Sequence, residues 1–287
     1  MQTVHTLDPL RSAVEQLRGA GPVALVPTMG ALHEGHLTLV REARRHARSV
    51  VVSIFVNPLQ FGVNEDLDAY PRQLERDSRL LEGEGVDLLW APTVEAMYPA
   101  GFASNIAVAG VSEGLCGAAR PGHFDGVATV VCKLFNQVMP DVALFGEKDW
   151  QQLAVIRRMA RDLDLTRPAA DAILGVETVR EADGLAMSSR NAYLGAQDRA
   201  AAVALPRAMR SAIAAIESGA DVPWALARLE AEIVAGGFLS VDYGQLRDAD
   251  NLEVLGTRST RPMRLLVAAR IGPARLIDNM AVAPARP

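Results

Sequence analysis

Two histidines, His33 and His36, stand three residues apart between an apolar run, Val23 to Val26, and a run in which Leu37, Leu39 and Val40 alternate with Arg41, Arg44 and Arg45. The first run reads as a buried strand and the second as a helix, so the histidines sit on the turn that joins them. Backbone N–H groups without intrahelical partners collect at such a turn and favour a negative ligand. Gly30 and Gly35 let the backbone approach that ligand closely. If the helix begins near His33, the imidazoles at i and i+3 share one face of its first turn. Such a pair can clamp a phosphate that gains charge during a reaction. An isolated His-x-x-His is weak evidence, because a histidine at a helix start is ordinarily a surface residue. The surrounding ten residues, Pro27 to His36, carry the stronger signal.

Other chemistry-bearing residues follow strands in the same way. Lys148 comes just after the apolar run Val142 to Phe145 and just before a helical pattern. Flanked by Gly146 and Asp149, it is suited to hold a phosphate at a strand end. Met187-Ser188-Ser189-Arg190 sets two hydroxyls and a guanidinium in a polar segment, which taken alone is an ordinary loop. Gln60 and Gln152 are neutral amides that both donate and accept. Such a pair suits a hydroxylated substrate, because no buried charge has to be compensated. Asp149 can pair with Lys148 or Arg190, or cap the helix it begins. Arg120 and His123 flank a Pro-Gly turn whose role is as easily structural as catalytic, and they are left outside the site.

The elements that must position these residues alternate. Thr6 or Asp8 can cap a first helix to about Arg18, with Pro9 in its first turn. Ser49 to Val56 is a continuous β-branched run, as in a strand buried on both faces of a parallel sheet. It ends at Asn57-Pro58, where proline forbids further pairing. Asn64 to Gly85 reads as mostly helical with a break at Pro71, and Val86 to Trp90 as a short strand. Residues 92–117 give no clear pattern. A helix through Val127 to Val138, a strand at Val142 to Phe145, a helix from Trp150 to about Leu163 and a strand at Ala172 to Val176 complete the series. Strand–helix alternation implies a doubly wound parallel sheet, whose ligands lie beyond the carboxyl ends of the strands. The loops at His33/His36, Gln60 and Lys148 each follow a strand, so all are expected at one sheet edge. The GxGxxG fingerprint is absent, which disfavours a nicotinamide enzyme.

After about Thr178 the pattern changes. Val179 to Leu194 is polar and rich in small residues, as in a mobile hinge or lid. Helices at Gln197 to Ser218 and Asp221 to Gly236 precede strands at Ser240 to Arg247, Arg264 to Ile271 and Arg275 to Asp278, with the tail from Ala281 expected to fray. The reading is an α/β protein: a Rossmann-like, doubly wound domain over 1–178 and a second, smaller α+β lid domain over 179–287.

Composition narrows the class. The chain has 287 residues, 49% of them hydrophobic, and a net charge of −5, so it can bury a large core and lacks the basic balance of a nucleic-acid-binding protein. No apolar run approaches the ~20 residues of a membrane span, and the first residues show no leader pattern. Cys116 and Cys132 lie in no metal or redox spacing and fit a reducing cytoplasm.

The motifs PTMGALHEGH, SIFVNPLQF, DLDAYPR, RPGHF, FGEKDWQQ, READGLAMSSRN, QLRDADNL and ARLIDNM occur in this order. His33 to His36 is the HxGH element of the nucleotidylyltransferase superfamily, and Met187 to Arg190 resembles the KMSKS-type element of adenylating enzymes. Together the motifs resemble the pantothenate synthetase (pantoate–β-alanine ligase) family over nearly the whole chain. The resemblance implies two steps: pantoate and ATP give pantoyl adenylate and pyrophosphate, then β-alanine displaces AMP. It implies that Met29, Gly30, Ala31, Leu32, His33, Glu34, Gly35, His36, Gly146, Glu147, Lys148, Asp149, Val179, Met187, Ser188, Ser189 and Arg190 hold ATP. It further implies that Gln60 and Gln152 hold pantoate, that Gln60 also meets β-alanine, and that His36 is the proton donor. His33, His36, Lys148, Ser188, Ser189 and Arg190 form the catalytic set. Mg²⁺ is implied by ATP, without a dedicated carboxylate cage, and the family implies a homodimer. The rivals are nucleotidyl transfer to a phosphorylated acceptor, which needs a cationic pocket where this chain offers glutamines, and a non-catalytic nucleotide-binding module.

Overall fold

The computed structural model describes every residue except 63–66, 68, 69, 71, 286 and 287. Its strands are β1 (Gln2–Val4), β2 (Val23–Thr28), β3 (Ser49–Ile54), β4 (Leu88–Trp90), β5 (Val142–Gly146), β6 (Ile173–Val176), β7 (Ser240–Asp248), β8 (Met263–Ile271) and β9 (Ala274–Val282). Its helices are α1 (Leu7–Arg18), α2 (Glu34–His46), α3 (Leu74–Gly83), α4 (Val94–Met97), α5 (Leu115–Ala119), α6 (His123–Val138), α7 (Trp150–Asp162), α8 (Ala196–Ala201), α9 (Ala204–Glu217) and α10 (Val222–Ala235). The chain folds as two compact units. The first comprises Met1–Glu113, Arg120–Glu147 and Gln152–Glu177; the second comprises Gly114–Ala119, Lys148–Gln151 and Thr178–Pro287.

In the first unit six parallel strands run in the order β1-β4-β3-β2-β5-β6. Strand order turns back at β2, which pairs with β3 on one side and β5 on the other. A crevice at the carboxyl end of such a switch point is where doubly wound sheets take ligands. The turn with His33 and His36 leaves the carboxyl end of β2. The loop with Gln60 leaves that of β3. Val23, Ala24, Leu25 and Val26 are all fully buried, as are Val50, Val51 and Val52. Burial on both faces explains why these strands read as unbroken apolar runs rather than alternating ones.

The second unit holds an antiparallel sheet, β7-β8-β9, with α9 and α10. Leu205, Met209, Ile216, Leu229 and Ile233 of the helices share one core with Leu246, Leu265, Val267 and Ile271 of the strands. Asp221 caps α10 by accepting from the Trp224 N–H at 3.0 Å.

Several expectations need correction. The single helix read over 197–218 is two, α8 and α9, broken at Ala202–Val203. The tail does not fray at its start: Ala281 and Val282 pair in β9, and Val282 is buried. The short β1, paired with β4, and the helices α4 and α5 were not foreseen. Helical structure within 64–85 is confined to Leu74–Gly83 among the described residues; Asn64, Pro71 and most of DLDAYPR lie outside them.

Candidate active site

The histidine pair is built into the start of α2. His33 is the residue before the helix, in extended conformation, and its Nδ1 accepts from the Gly35 N–H at 3.2 Å. In return, the His33 N–H donates to Nδ1 of His36 at 3.3 Å. The two side chains thus satisfy backbone donors that the helix itself cannot. The rings lie 4.1 Å apart, centroid to centroid. Because each Nδ1 is an acceptor, the neutral form of each ring carries its proton on Nε2. A pair of ring N–H donors is therefore set side by side by the backbone.

The turn leading into this cap is strained and pinned. Gly30 and Ala31 have φ of 84° and 52°, the left-handed region that glycine adopts freely and alanine does not. The N–H groups of Ala31 and Leu32 donate to Oδ2 and Oδ1 of Asp77 on α3, at 2.8 and 3.0 Å. The turn was expected to offer these backbone donors to an anionic ligand; a buried carboxylate of the protein takes both. Asp77 and Asn57 are the residues that reading the sequence missed. Asp77 did leave a trace: it stands four residues before Leu81, a charge one helical turn from a leucine that is buried in the core.

Gln60 is aimed by a buried amide. Asn57 Nδ2 donates to Gln60 Oε1 at 2.9 Å and to the Gly126 carbonyl at 3.0 Å. Asn57 Oδ1 accepts from the Tyr98 hydroxyl at 2.7 Å and from the Leu59 N–H at 3.2 Å. All four hydrogen-bonding capacities of Asn57 are used, which fixes its orientation and leaves the Gln60 NH₂ as the end turned from it. Burial pushes the Tyr98 hydroxyl well above its usual pKa, against the opposing pull of Asn57, so the phenol keeps its proton for this bond. Arg120 Nη2 and His123 Nδ1 both reach the Gln60 carbonyl, at 3.1 and 2.9 Å. Their contact is with the backbone of the turn, which gives this pair a scaffolding place. Gln152 lies half-buried on α7.

In the second unit Lys148 and its neighbours are tied to the sheet. The Lys148 carbonyl accepts from Asn279 Nδ2 at 2.8 Å, and the Trp150 indole donates to the Ala249 carbonyl at 2.9 Å. The Arg264 guanidinium lies 3.5 Å from the Trp150 ring centre. The Lys148 ammonium itself is 3.8 Å from Asp149. Gly146, two residues earlier, ends β5 in the first unit, and Glu147 follows it there.

Val179 to Arg190 is a cross-tied hairpin. The Met187 N–H donates to the Val179 carbonyl at 3.0 Å, and Arg180 grips the buried Asp278 through both terminal nitrogens at 2.7 and 2.9 Å. Arg199 of α8 holds Glu181 and Asp183 of the hairpin. Its far end opens into a short turn capped by Ser188, whose Oγ accepts from the Arg190 N–H at 3.3 Å. Charged ties of this kind look polar in sequence, which is why the segment reads as mobile.

The profile described as pantoate-beta-alanine ligase matches residues 2–281. A pantothenate synthetase of Novosphingobium aromaticivorans is 70% identical over 285 residues, spanning 99% of this chain and 100% of that protein. The crystal structure of pantothenate synthetase from Thermus thermophilus matches with a TM-score of 0.91 at 49% identity, covering 99% of this chain and 100% of that one. The pantoate-beta-alanine ligase of Francisella tularensis, crystallised with beta-gamma ATP and beta-alanine, matches with a TM-score of 0.82 at 32% identity, over 98% and 97% of the two chains.

Proposed function

The chain belongs to the pantoate-beta-alanine ligase family, and from that premise we propose which of its residues carry the reaction. The enzyme joins pantoate to β-alanine, giving pantothenate, with cleavage of ATP to AMP and pyrophosphate. A carboxylate is a poor electrophile, so the acid is first activated. A pantoate carboxylate oxygen attacks the α-phosphorus, and pyrophosphate leaves with the bridging oxygen and its electron pair. The uncharged amine of β-alanine then attacks the acyl carbon, loses a proton, and AMP departs.

The observation that carries this assignment is the reciprocal cap of His33 and His36, which fixes two Nε2–H donors at the start of α2. We assign them the oxygens of the α-phosphate, where negative charge grows during the first step. His36 then acts as much by electrostatic stabilisation as by proton donation. Lys148, Ser188, Ser189 and Arg190 are assigned the departing pyrophosphate, since positioning and charge do most of the work in phosphoryl chemistry. Met29, Gly30, Ala31, Leu32, Glu34, Gly35, Gly146, Glu147, Asp149, Val179 and Met187 complete the ATP surface. Gln60 presents its amide to pantoate and then to β-alanine, and Gln152 is the second pantoate ligand. The first domain, 1–178, is assigned ATP and pantoate, and 179–287 the lid.

Among the described residues no group of three or more His, Cys, Asp or Glu could hold a metal ion. We propose that Mg²⁺ enters on the phosphates with water as its other ligands. No helix of the described residues is long and apolar enough to cross a membrane. A cytoplasmic homodimer completes the reading, with light scattering as its check.

Rapid quenching of enzyme mixed with ATP and pantoate, without β-alanine, tests the assignment. Pantoyl adenylate and pyrophosphate should appear together at the concentration of active sites. Release of AMP with no acyl adenylate would refute the two-step course. Nucleotidyl transfer to a phosphorylated acceptor is not favoured, because the buried side chain at the β3 loop is the amide of Gln60 rather than a cation.

A further inference from the structure

We propose that Asp77 is a positioning residue for the first step: its carboxylate sets the turn from which both imidazoles are presented. Asp77 is 0% exposed and lies on α3, remote in sequence from the histidines. Its two oxygens accept from consecutive N–H groups, Ala31 at 2.8 Å and Leu32 at 3.0 Å. Its partners are backbone donors, with no cation paired to it among the described residues. A carboxylate buried without a counter-ion costs folding free energy that a leucine on the same helix stripe would not. The structure retains it at a turn where Gly30 and Ala31 both hold positive φ. Space there is tight as well: a Cβ on Gly30 would lie 3.2 Å from Asp77 Oδ2 and 3.2 Å from a methyl of Ile54.

The mechanical linkage is short. Leu32, buried at 1% exposure, carries one of the pinned N–H groups, and the next residue is His33. The His33 N–H then orients the ring of His36. A shift of the turn passes to both rings with no flexible side chain between. Asp77 also keeps the turn's donors occupied, so a phosphate meets ring N–H groups rather than sinking into the backbone. This proposal rests on the assignment of His33 and His36 to phosphate given above.

The test is Asp77→Asn, which keeps the shape and one acceptor but turns an NH₂ toward a backbone N–H. Each rate is normalised to the folded fraction measured by circular dichroism. Pantoate-dependent exchange of pyrophosphate into ATP is expected to fall about 10- to 100-fold, the scale on which an ångström of misplacement acts. β-Alanine attack on supplied pantoyl adenylate should stay within about threefold of the parent, since that step needs less from the phosphate clamp. Exchange within about threefold of the parent would overturn the proposal, and so would an equal fall in both steps. Should Asp77→Asn alone not fold, Asp77→Asn with Ala31→Gly supplies the same two readouts, because glycine adopts this φ without strain. His36→Ala is assayed beside it. If His36→Ala exchanges as fast as the parent, the assignment of the imidazoles fails; if it is impaired while Asp77→Asn is not, only the role of Asp77 fails.

Discussion

Asn57 donates through Nδ2 to the Oε1 of Gln60 at 2.9 Å, so the amide assigned to pantoate is oriented by a residue one turn earlier in the same loop. Asn57→Ala removes that bond and leaves the Tyr98 hydroxyl and Gly126 carbonyl without it. Steady-state kinetics should show KM for pantoate raised tenfold or more while KM for ATP changes little, on the usual scale of about 1–3 kcal/mol for a buried group left unsatisfied. An unaltered pantoate KM would mean that Gln60 is aimed by something else.

Gly126 tests the same turn from the other side. A Cβ there would lie 2.1 Å from the Leu59 carbonyl oxygen, a distance that requires α6 or the Pro58–Gln60 turn to move. Gly126→Ala is expected to lower thermal stability and weaken pantoate binding together, since the displaced carbonyl belongs to the residue before Gln60. A variant with parental Tm would contradict the packing described.

Lys148→Ala should reduce adenylate formation by about 10²–10³, the usual loss when one preorganised donor to developing charge is removed. Its backbone is held through the carbonyl by Asn279, a bond that the substitution leaves in place, so the melting temperature should stay close to that of the parent. Lys148→Arg should recover part of the rate. Turnover unchanged in Lys148→Ala would remove this residue from the mechanism.

How far the sequence could carry the account depends on the range of each interaction. β3 was legible because burial on both faces leaves a short, continuous run of β-branched valines. The histidine turn was legible because strand, glycines, imidazoles and helix are contiguous. Lys148 was found, but its attachment to Asn279 and the packing of Trp150 under Arg264 join residues more than a hundred positions apart. Asn57 and Asp77 were missed for a related reason. Each is a common turn or helix residue until Tyr98, Gly126 or Ala31 is brought against it. β1, with three residues, is too short to show a period of two and exists because β4 offers it an edge. The split between α8 and α9 did leave a sign: Pro206, in the first turn of α9, has no N–H to donate to the Ala202 carbonyl four residues earlier, which is where the helix breaks.

The second unit has its own pH dependence. Asp242 is desolvated, which favours its neutral form, but Arg275 at 2.7 Å and Arg270 at 3.0 Å outweigh this and hold its carboxyl below the usual range. A carboxylate depressed in the folded state stabilises fully above its unfolded pKa of about 4 and ceases to do so as pH falls through the folded value. Asp242→Asn should therefore melt several degrees below the parent at neutral pH, with the gap closing as pH falls below about 4. A gap that stays constant on acidification would show that the charge of Asp242 is not what matters.

The most direct measurement is exchange of radiolabelled pyrophosphate into ATP by the parent enzyme, with each co-substrate supplied or withheld in turn. The account predicts exchange that requires pantoate and proceeds fully without β-alanine, and that collapses in His36→Ala. Exchange in the absence of pantoate, or exchange that waits for β-alanine, would contradict it.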